Sequence, residues 1–300
     1  MDKIKIGIPR SLFYYYDGYF LKNFFEYLDF EVIISPETNK SIINEGIKYS
    51  NDEMCLSLKI FLGHISYLKD KCDYILLMRI DNYGRFDQTC TNFLSLYDIV
   101  NNLFKVNLLN INIDYVNNQN MYSELNKICK RFKIPNHQIK QAYKSSLIKT
   151  KKHKKKIQMT NENKLYNDGL KILLVAHAYN LDDKYIGIPI IDYLEKNKIN
   201  VILSNCFDTD KVKELSYKMC PNLYWYYNKE NIGALVNVIN KIDGVIFLSS
   251  FPCGPDSLVN ELVIRKLKKP YLNLIIDDLD SLTGIETRLE SFIDIIEQRV

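Results

Sequence analysis

The 300-residue chain lacks most of the signatures that assign a chemistry at once. It has no G-x-x-x-x-G-K-S/T loop and no G-x-G-x-x-G turn behind a strand, which excludes the usual backbone cradles for nucleotide phosphates. H-E-x-x-H and G-x-S-x-G are absent, so neither a zincin nor an α/β-hydrolase nucleophile is indicated. No C-x-x-C occurs, which argues against a zinc ribbon and a thioredoxin-type pair. The four histidines, His64, His137, His153 and His177, are too scattered for a His-rich metal site. No apolar run approaches the roughly 18 residues that span a bilayer, and the charged opening Met1-Asp2-Lys3 leads into a strand rather than an apolar leader. The expectation is a cytoplasmic protein with no membrane partner. A net charge of +4 is too mild to imply nucleic acid.

What is present reads as α/β. Hydrophobic residues make up 47% of the chain, enough for a sizeable core. Short apolar strands are expected at 3–8, 31–34, 74–80 and 106–113, and again at 171–176, 200–204, 244–249 and 271–276. Several are continuously apolar, as strands covered on both faces are. Helical periodicity fills the intervals, with Leu258, Leu262, Ile264 and Leu267 expected on one apolar face and Leu289, Phe292, Ile293 and Ile296 on another. Strand–helix alternation argues for parallel βαβ units. The lysine-rich stretch 149–164 divides the chain, giving an N-terminal lobe at 1–150, a basic and polar linker at 151–168 and a C-terminal lobe at 169–300. No aromatics interleave its lysines as single-strand binders require, so a solvated helix end is the favoured reading. The expected fold is two Rossmann-like lobes, parallel sheets flanked by helices, with a cleft between them. Both lobes open on a strand and a helix, which suggests related units, although no sequence repeat is evident.

Seven cysteines in a reducing compartment are more often buried, catalytic or metal-bound than paired. Ligand sites in open α/β sheets lie in the loops after the strands, and three cysteines fall there. Cys253 follows the strand at 244–249 in Ser250-Phe251-Pro252-Cys253-Gly254-Pro255-Asp256, where Pro255 and Asp256 suit a helix start. A helix N-terminus favours a thiolate, and Gly254 lets backbone come close to a bulky group. The competing reading is a cysteine packed in a tight turn. Cys90 holds the corresponding place in the first lobe. Cys55, in Asp52-Glu53-Met54-Cys55, precedes a helix running to about Leu68; the two acids oppose a free thiolate, though not one bound to iron. These three lie 35 and 163 residues apart and form no local cluster motif. Cys72, Cys129 and Cys220 read as packing residues, as does Cys206, which follows a strand and is kept as a reserve ligand.

Several segments, in order, resemble one family: Ile6-Gly7-Ile8-Pro9-Arg10; Ile34-Ser35-Pro36; Asp52-Glu53-Met54-Cys55 with Lys59 and Gly63-His64; Ala176-His177-Ala178-Tyr179-Asn180-Leu181; and Phe251-Pro252-Cys253-Gly254-Pro255-Asp256-Ser257. They resemble the CoA-substrate-specific enzyme activase-related proteins (domain of unknown function 2229), which are similar to 2-hydroxyacyl-CoA dehydratase subunits and double-cubane-cluster proteins. The resemblance implies an iron–sulfur cluster, of 4Fe–4S type or a double cubane, held by Cys55, Cys90 and Cys253 beside Gly254. It implies low-potential electron transfer or reductive dehydration of an acyl-CoA, and a separate ATP-hydrolysing activator as partner. A homologous dehydratase subunit or a second copy is a further implied partner. The alternative is a non-catalytic cluster-carrying scaffold that docks an activator or another enzyme. Around Cys90 the sequence departs from the family's usual Cys-Pro, which leaves Cys90 and Cys206 as rivals for the third ligand. Arg10, His177 and Asn180 are candidates to line the cleft, Arg10 toward an anionic group. His64, far along the Cys55 helix, reads as structural.

Overall fold

The computed structural model describes residues 3–277 and 282–298. The chain divides into two compact units, 1–153 and 154–300. In the first, strands β1 (Lys5–Ile8), β2 (Glu31–Ile34), β3 (Tyr74–Asn82) and β4 (Leu108–Asp114) alternate with helices α1 (Tyr14–Tyr27), α2 (Lys40–Lys48), α3 (Leu56–Leu68), α4 (Thr91–Leu103) and α5 (Met121–Arg131). Helix α6 (Asn136–Asn163) runs through the unit boundary. In the second unit, strands β5 (Lys171–Val175), β6 (Asn200–Leu203), β7 (Gly244–Ser250) and β8 (Tyr271–Ile276) alternate with α7 (Ala178–Leu181), α8 (Gly187–Lys196), α9 (Thr209–Val212), α10 (Tyr226–Val238), α11 (Gly254–Ile264) and α12 (Leu282–Glu297). Each expected strand is present.

Each unit holds one four-stranded parallel sheet, ordered β2-β1-β3-β4 and β6-β5-β7-β8. Helices flank each sheet, so the central strands are largely apolar; β7 is buried at every position. The chain reverses direction between β1 and β3, and again between β5 and β7. A doubly wound sheet opens a crevice at such a switch point, at the carboxyl ends of the strands. Cys90 and Cys253 follow the strands that flank these points.

The units share a register that the sequence alone did not reveal. Ile6 pairs with Val32 and Tyr74, and Ile172 pairs with Val201 and Gly244. With Ile6 set against Ile172, local contacts repeat. The Lys5 and Lys171 amides donate to Asp73 and Asp243 carboxylates at 2.7 and 2.8 Å. The Arg10 and Ala176 amides donate to the Ser35 and Ser204 hydroxyls at 2.8 and 3.2 Å. Helices α3 and α10 correspond as well: Lys59 and Lys229, each the fourth residue of its helix, are both buried. Four residues on, Gly63 and Gly233 lie so close to the preceding segment that a Cβ would strike the Ile42 or Val212 carbonyl.

The lysine-rich stretch belongs to α6, exposed from 151 to 157. The end of α6 is fixed by Asn161, whose side chain takes the Leu203 amide (2.8 Å) and gives to its carbonyl (3.0 Å), pairing with edge strand β6. One expected face is corrected. On α11, Leu258 and Leu262 are exposed, and the buried residues are Asp256, Val259, Asn260 and Val263. Two polar side chains take inward places on the helix, and one of them, Asp256, has the buried partners described below. On α12, Leu289, Phe292, Ile293 and Ile296 are buried as expected.

Candidate functional site

Helix N-caps are normally Ser, Thr, Asp or Asn, whose oxygen accepts a first-turn amide. The chain uses that device at Asn39 before α2 and at Asn120 before α5. At α3, α4 and α11 the N-cap is instead Cys55, Cys90 and Cys253, extended in backbone and making no side-chain cap bond. A thiol accepts hydrogen bonds poorly, so these positions forgo capping energy of about 1 kcal/mol each. In return, each sulfur sits where the helix dipole favours an anionic thiolate. All three are half-buried, and none of the seven cysteines is in a disulfide.

In the first unit, Cys55 and the start of α4 meet. Asn92, two residues after Cys90, points its amide at Cys55 Sγ, 3.7 Å away. The loop before Cys90 is tied to the end of β3 by Thr89, whose hydroxyl donates to the Ile80 carbonyl at 2.5 Å. Arg10 is held within the same unit: its amide and Nε donate to Ser35, and its guanidinium lies 5.6 Å from the Tyr14 ring centroid. His64 is wholly buried, with Nε2 3.1 Å from Thr38 Oγ1. Burial, helped by the Arg10 charge, pushes its pKa down to about 3, so it is neutral and structural.

In the second unit, Cys253 stands beside a buried polar network. His177 Nε2 is 2.8 Å from Asp256 Oδ1, with both side chains 6% exposed. Asn228 donates to the same oxygen at 2.8 Å. Burial pushes the Asp256 carboxyl up, but the His177 charge and hydrogen bonds from His177, Asn228 and Cys253 outweigh it and hold the group below the usual aspartate range. Tyr179 stacks on the His177 ring at 4.9 Å and Tyr227 meets it edge-on at 6.1 Å. Asn180 is buried and accepts from Ser250 Oγ at 2.8 Å, joining α7 to the end of β7. The sequence offered Asp256 only as a helix-start residue; its role as the centre of this network, and Asn228 altogether, were missed.

The donor chemistry fits an iron–sulfur group. At Gly254 a Cβ would meet nothing within 4 Å, so the space beside Cys253 is open. Number is the limit within one unit. Among the described residues, no group of three or more His, Cys, Asp or Glu side chains is gathered closely enough to hold a metal ion. The first unit offers Cys55 and Cys90, and the second Cys253. The remaining cysteines differ from these. Burial pushes Cys72 up to about 11 and Cys129 and Cys206 up to about 12, and raises Cys220, keeping them as neutral thiols. The reserve candidate Cys206 is thus a buried thiol bonded to its neighbour Asn205. A pocket of about 270 Å³ between β4 and helices α4 and α5 is lined by Tyr97, Asn110, Asn112, Glu124, Lys127 and Arg131, none of them a residue the sequence singled out.

A family model described as "CoA enzyme activase uncharacterised domain" matches residues 5–207. The matched range contains Cys55 and Cys90 and ends before Cys253. No curated protein matches the chain. Among solved structures, the chain is similar to a sugar transporter from Clostridium phytofermentans at 10% identity, over 99% of this chain and 94% of that one, with a TM-score of 0.21. A score that low carries no argument about fold or function. No described helix is long and apolar enough to cross a membrane.

Proposed function

We propose, from the premise that this chain belongs to the CoA enzyme activase uncharacterised domain family, that it is an oxygen-sensitive iron–sulfur protein of the 2-hydroxyacyl-CoA dehydratase type. Cys55, Cys90 and Cys253 are the ligands. The observation that carries the reading is their shared position: three half-buried cysteines replace conventional caps at three helix N-termini, while the other four read as packing. Their first-turn amides and helix dipoles suit thiolates bound to an electron-rich group.

A cluster held there supplies one-electron chemistry at low potential. The chain's own residues shield and orient it: Asn92 beside Cys55 and Gly254 beside Cys253 leave room and polar contact at the sulfurs. The partner is a separate ATP-hydrolysing activator that delivers the electron, since no nucleotide cradle occurs in this sequence. The substrate is an acyl-CoA that loses water.

The test is iron and acid-labile sulfide content, with an electronic spectrum, on protein purified without oxygen beside Cys253→Ala. About four irons per chain in the wild type, with charge-transfer bands lost in the variant, is the expected result. No iron after anaerobic reconstitution overturns the reading. Activator-dependent turnover of acyl-CoA then separates a dehydratase from a cluster-carrying scaffold.

A further inference from the structure

We propose that the exposed lysine face of α6 docks onto the exposed acidic face of α12 in a second copy of this chain. The pairing is independent of the cluster reading, and no residue in it belongs to the candidate site.

Charge is spread unevenly along the chain. From Lys140 to Lys156 there are eight lysines and no acidic residue, and all eight lysines are exposed. Taking those eight from the chain's 40 cations leaves 32 against 36 acids. Other helices neutralise their own surfaces: Lys22 pairs with Glu26 in α1, Lys127 with Glu124 in α5 and Arg265 with Glu261 at the end of α11. In α6 the four-residue spacing repeats one sign instead, at Lys140 and Lys144, Lys151 and Lys155, and Lys152 and Lys156. Like charges so placed destabilise a helix. Among the described residues no carboxylate pairs with any of the eight.

At 3.6 residues per turn, Lys144, Ile148, Lys151, Lys152 and Lys155 fall on one face, opposite the buried Ala142, Ser146 and Thr150. Ile148 is the one apolar residue among these five, so the face lacks the apolar stripe with which a helix enters a lipid surface. It also lacks the stacking rings that hold single strands. Every cation is a lysine, a point charge rather than the bidentate fork that suits phosphate. What remains is attraction to carboxylates.

The complement lies in the chain itself. On α12, Ile285, Leu289, Phe292, Ile293 and Ile296 are buried, which turns Glu286, Glu290, Asp294 and Glu297 outward in one exposed stripe. Among the described residues none of the four is in an ion pair. Burial, and then the charges of Glu290, Glu286 and Asp294, raise the pKa of Tyr193 on α8, so these acids share one field. The two faces match in spacing as well. Lys151 and Lys155 stand seven and eleven residues beyond Lys144, and Glu290 and Glu286 stand seven and eleven before Glu297. Antiparallel helices would set these three pairs side by side over about 16.5 Å of rise. Both faces are exposed in the single chain, so the pairing is made between chains. Such pairs are individually weak, and salt screens them.

The experiment is sedimentation equilibrium on the full chain, up to about 0.1 mM, in about 0.1 M and about 1 M salt. It compares wild type with two triple variants, Lys144→Glu with Lys151→Glu and Lys155→Glu, and Glu286→Lys with Glu290→Lys and Glu297→Lys, and with an equal mixture of the two. Wild type should self-associate in the lower salt and dissociate in the higher. Each variant alone should associate about 10-fold or more weakly. The mixture should associate as wild type does, because reversed α6 then meets reversed α12 and native α6 meets native α12. Should a triple variant not fold, Lys151→Glu and Glu290→Lys carry the same comparison. Association that persists in both variants, or a mixture that stays monomeric, overturns the pairing. A monomeric wild type overturns it too; if that monomer binds a short DNA duplex or vesicles of anionic lipid, and the lysine-reversed variant does not, the face belongs to that ligand instead.

Discussion

His64 makes the first unit sensitive to acid in a calculable way. The folded chain holds the imidazole neutral, with a pKa near 3 because of burial and the Arg10 charge, while an unfolded histidine titrates near 6.5. Below that value the unfolded state takes up a proton that the folded state refuses, so stability falls as pH falls. The slope is about 1.36 kcal/mol per pH unit until the folded value is reached. Between pH 7.5 and pH 4.5 the loss is about 2.7 kcal/mol, from the two units below 6.5. His64→Gln keeps a partner for Thr38 Oγ1 and removes the proton-binding site. Amide hydrogen exchange along α3 reads the opening free energy where His64 resides. Wild-type protection should fall by about 2.7 kcal/mol more than that of His64→Gln over this range. Equal pH dependence in the two proteins would refute a neutral buried imidazole.

Gly63→Ala places a Cβ against the Ile42 carbonyl and should destabilise the first unit by about 1–3 kcal/mol or more, measured by urea unfolding. Gly254→Ala meets no atom and should leave the unfolding midpoint unchanged while lowering iron incorporation on anaerobic reconstitution. Cys90→Ala should abolish wild-type iron content, whereas Cys206→Ala, which removes a buried thiol, should retain it at a stability cost of about 1 kcal/mol.

The strand pattern was legible because parallel strands covered on both faces must be apolar along their length, and 172–175 and 245–248 read that way directly. The helix starts at Cys55, Cys90 and Cys253 were legible from local composition. The helix face at Leu258 and Leu262 was not. Apolar periodicity counts leucines as inward, and there the inward places belong to Asp256 and Asn260. One signal was overlooked: Cys55-x-x-x-Lys59-x-x-x-Gly63 and Trp225-x-x-x-Lys229-x-x-x-Gly233 share a spacing, and it marks the duplicated helix that register confirms.

By itself the sequence determined the class of fold, the eight strands and the cysteines that stand at helix N-termini, because periodicity and end signals act over a few residues. The tertiary structure decided which polar groups share a buried site. His177, Asn228 and Asp256 are 28 or more residues apart in sequence, and only the parallel register of β5 with β7 and the packing of α10 and α11 set His177 and Asn228 each 2.8 Å from Asp256. Such contacts follow from chain crossovers, to which no local pattern of residues responds.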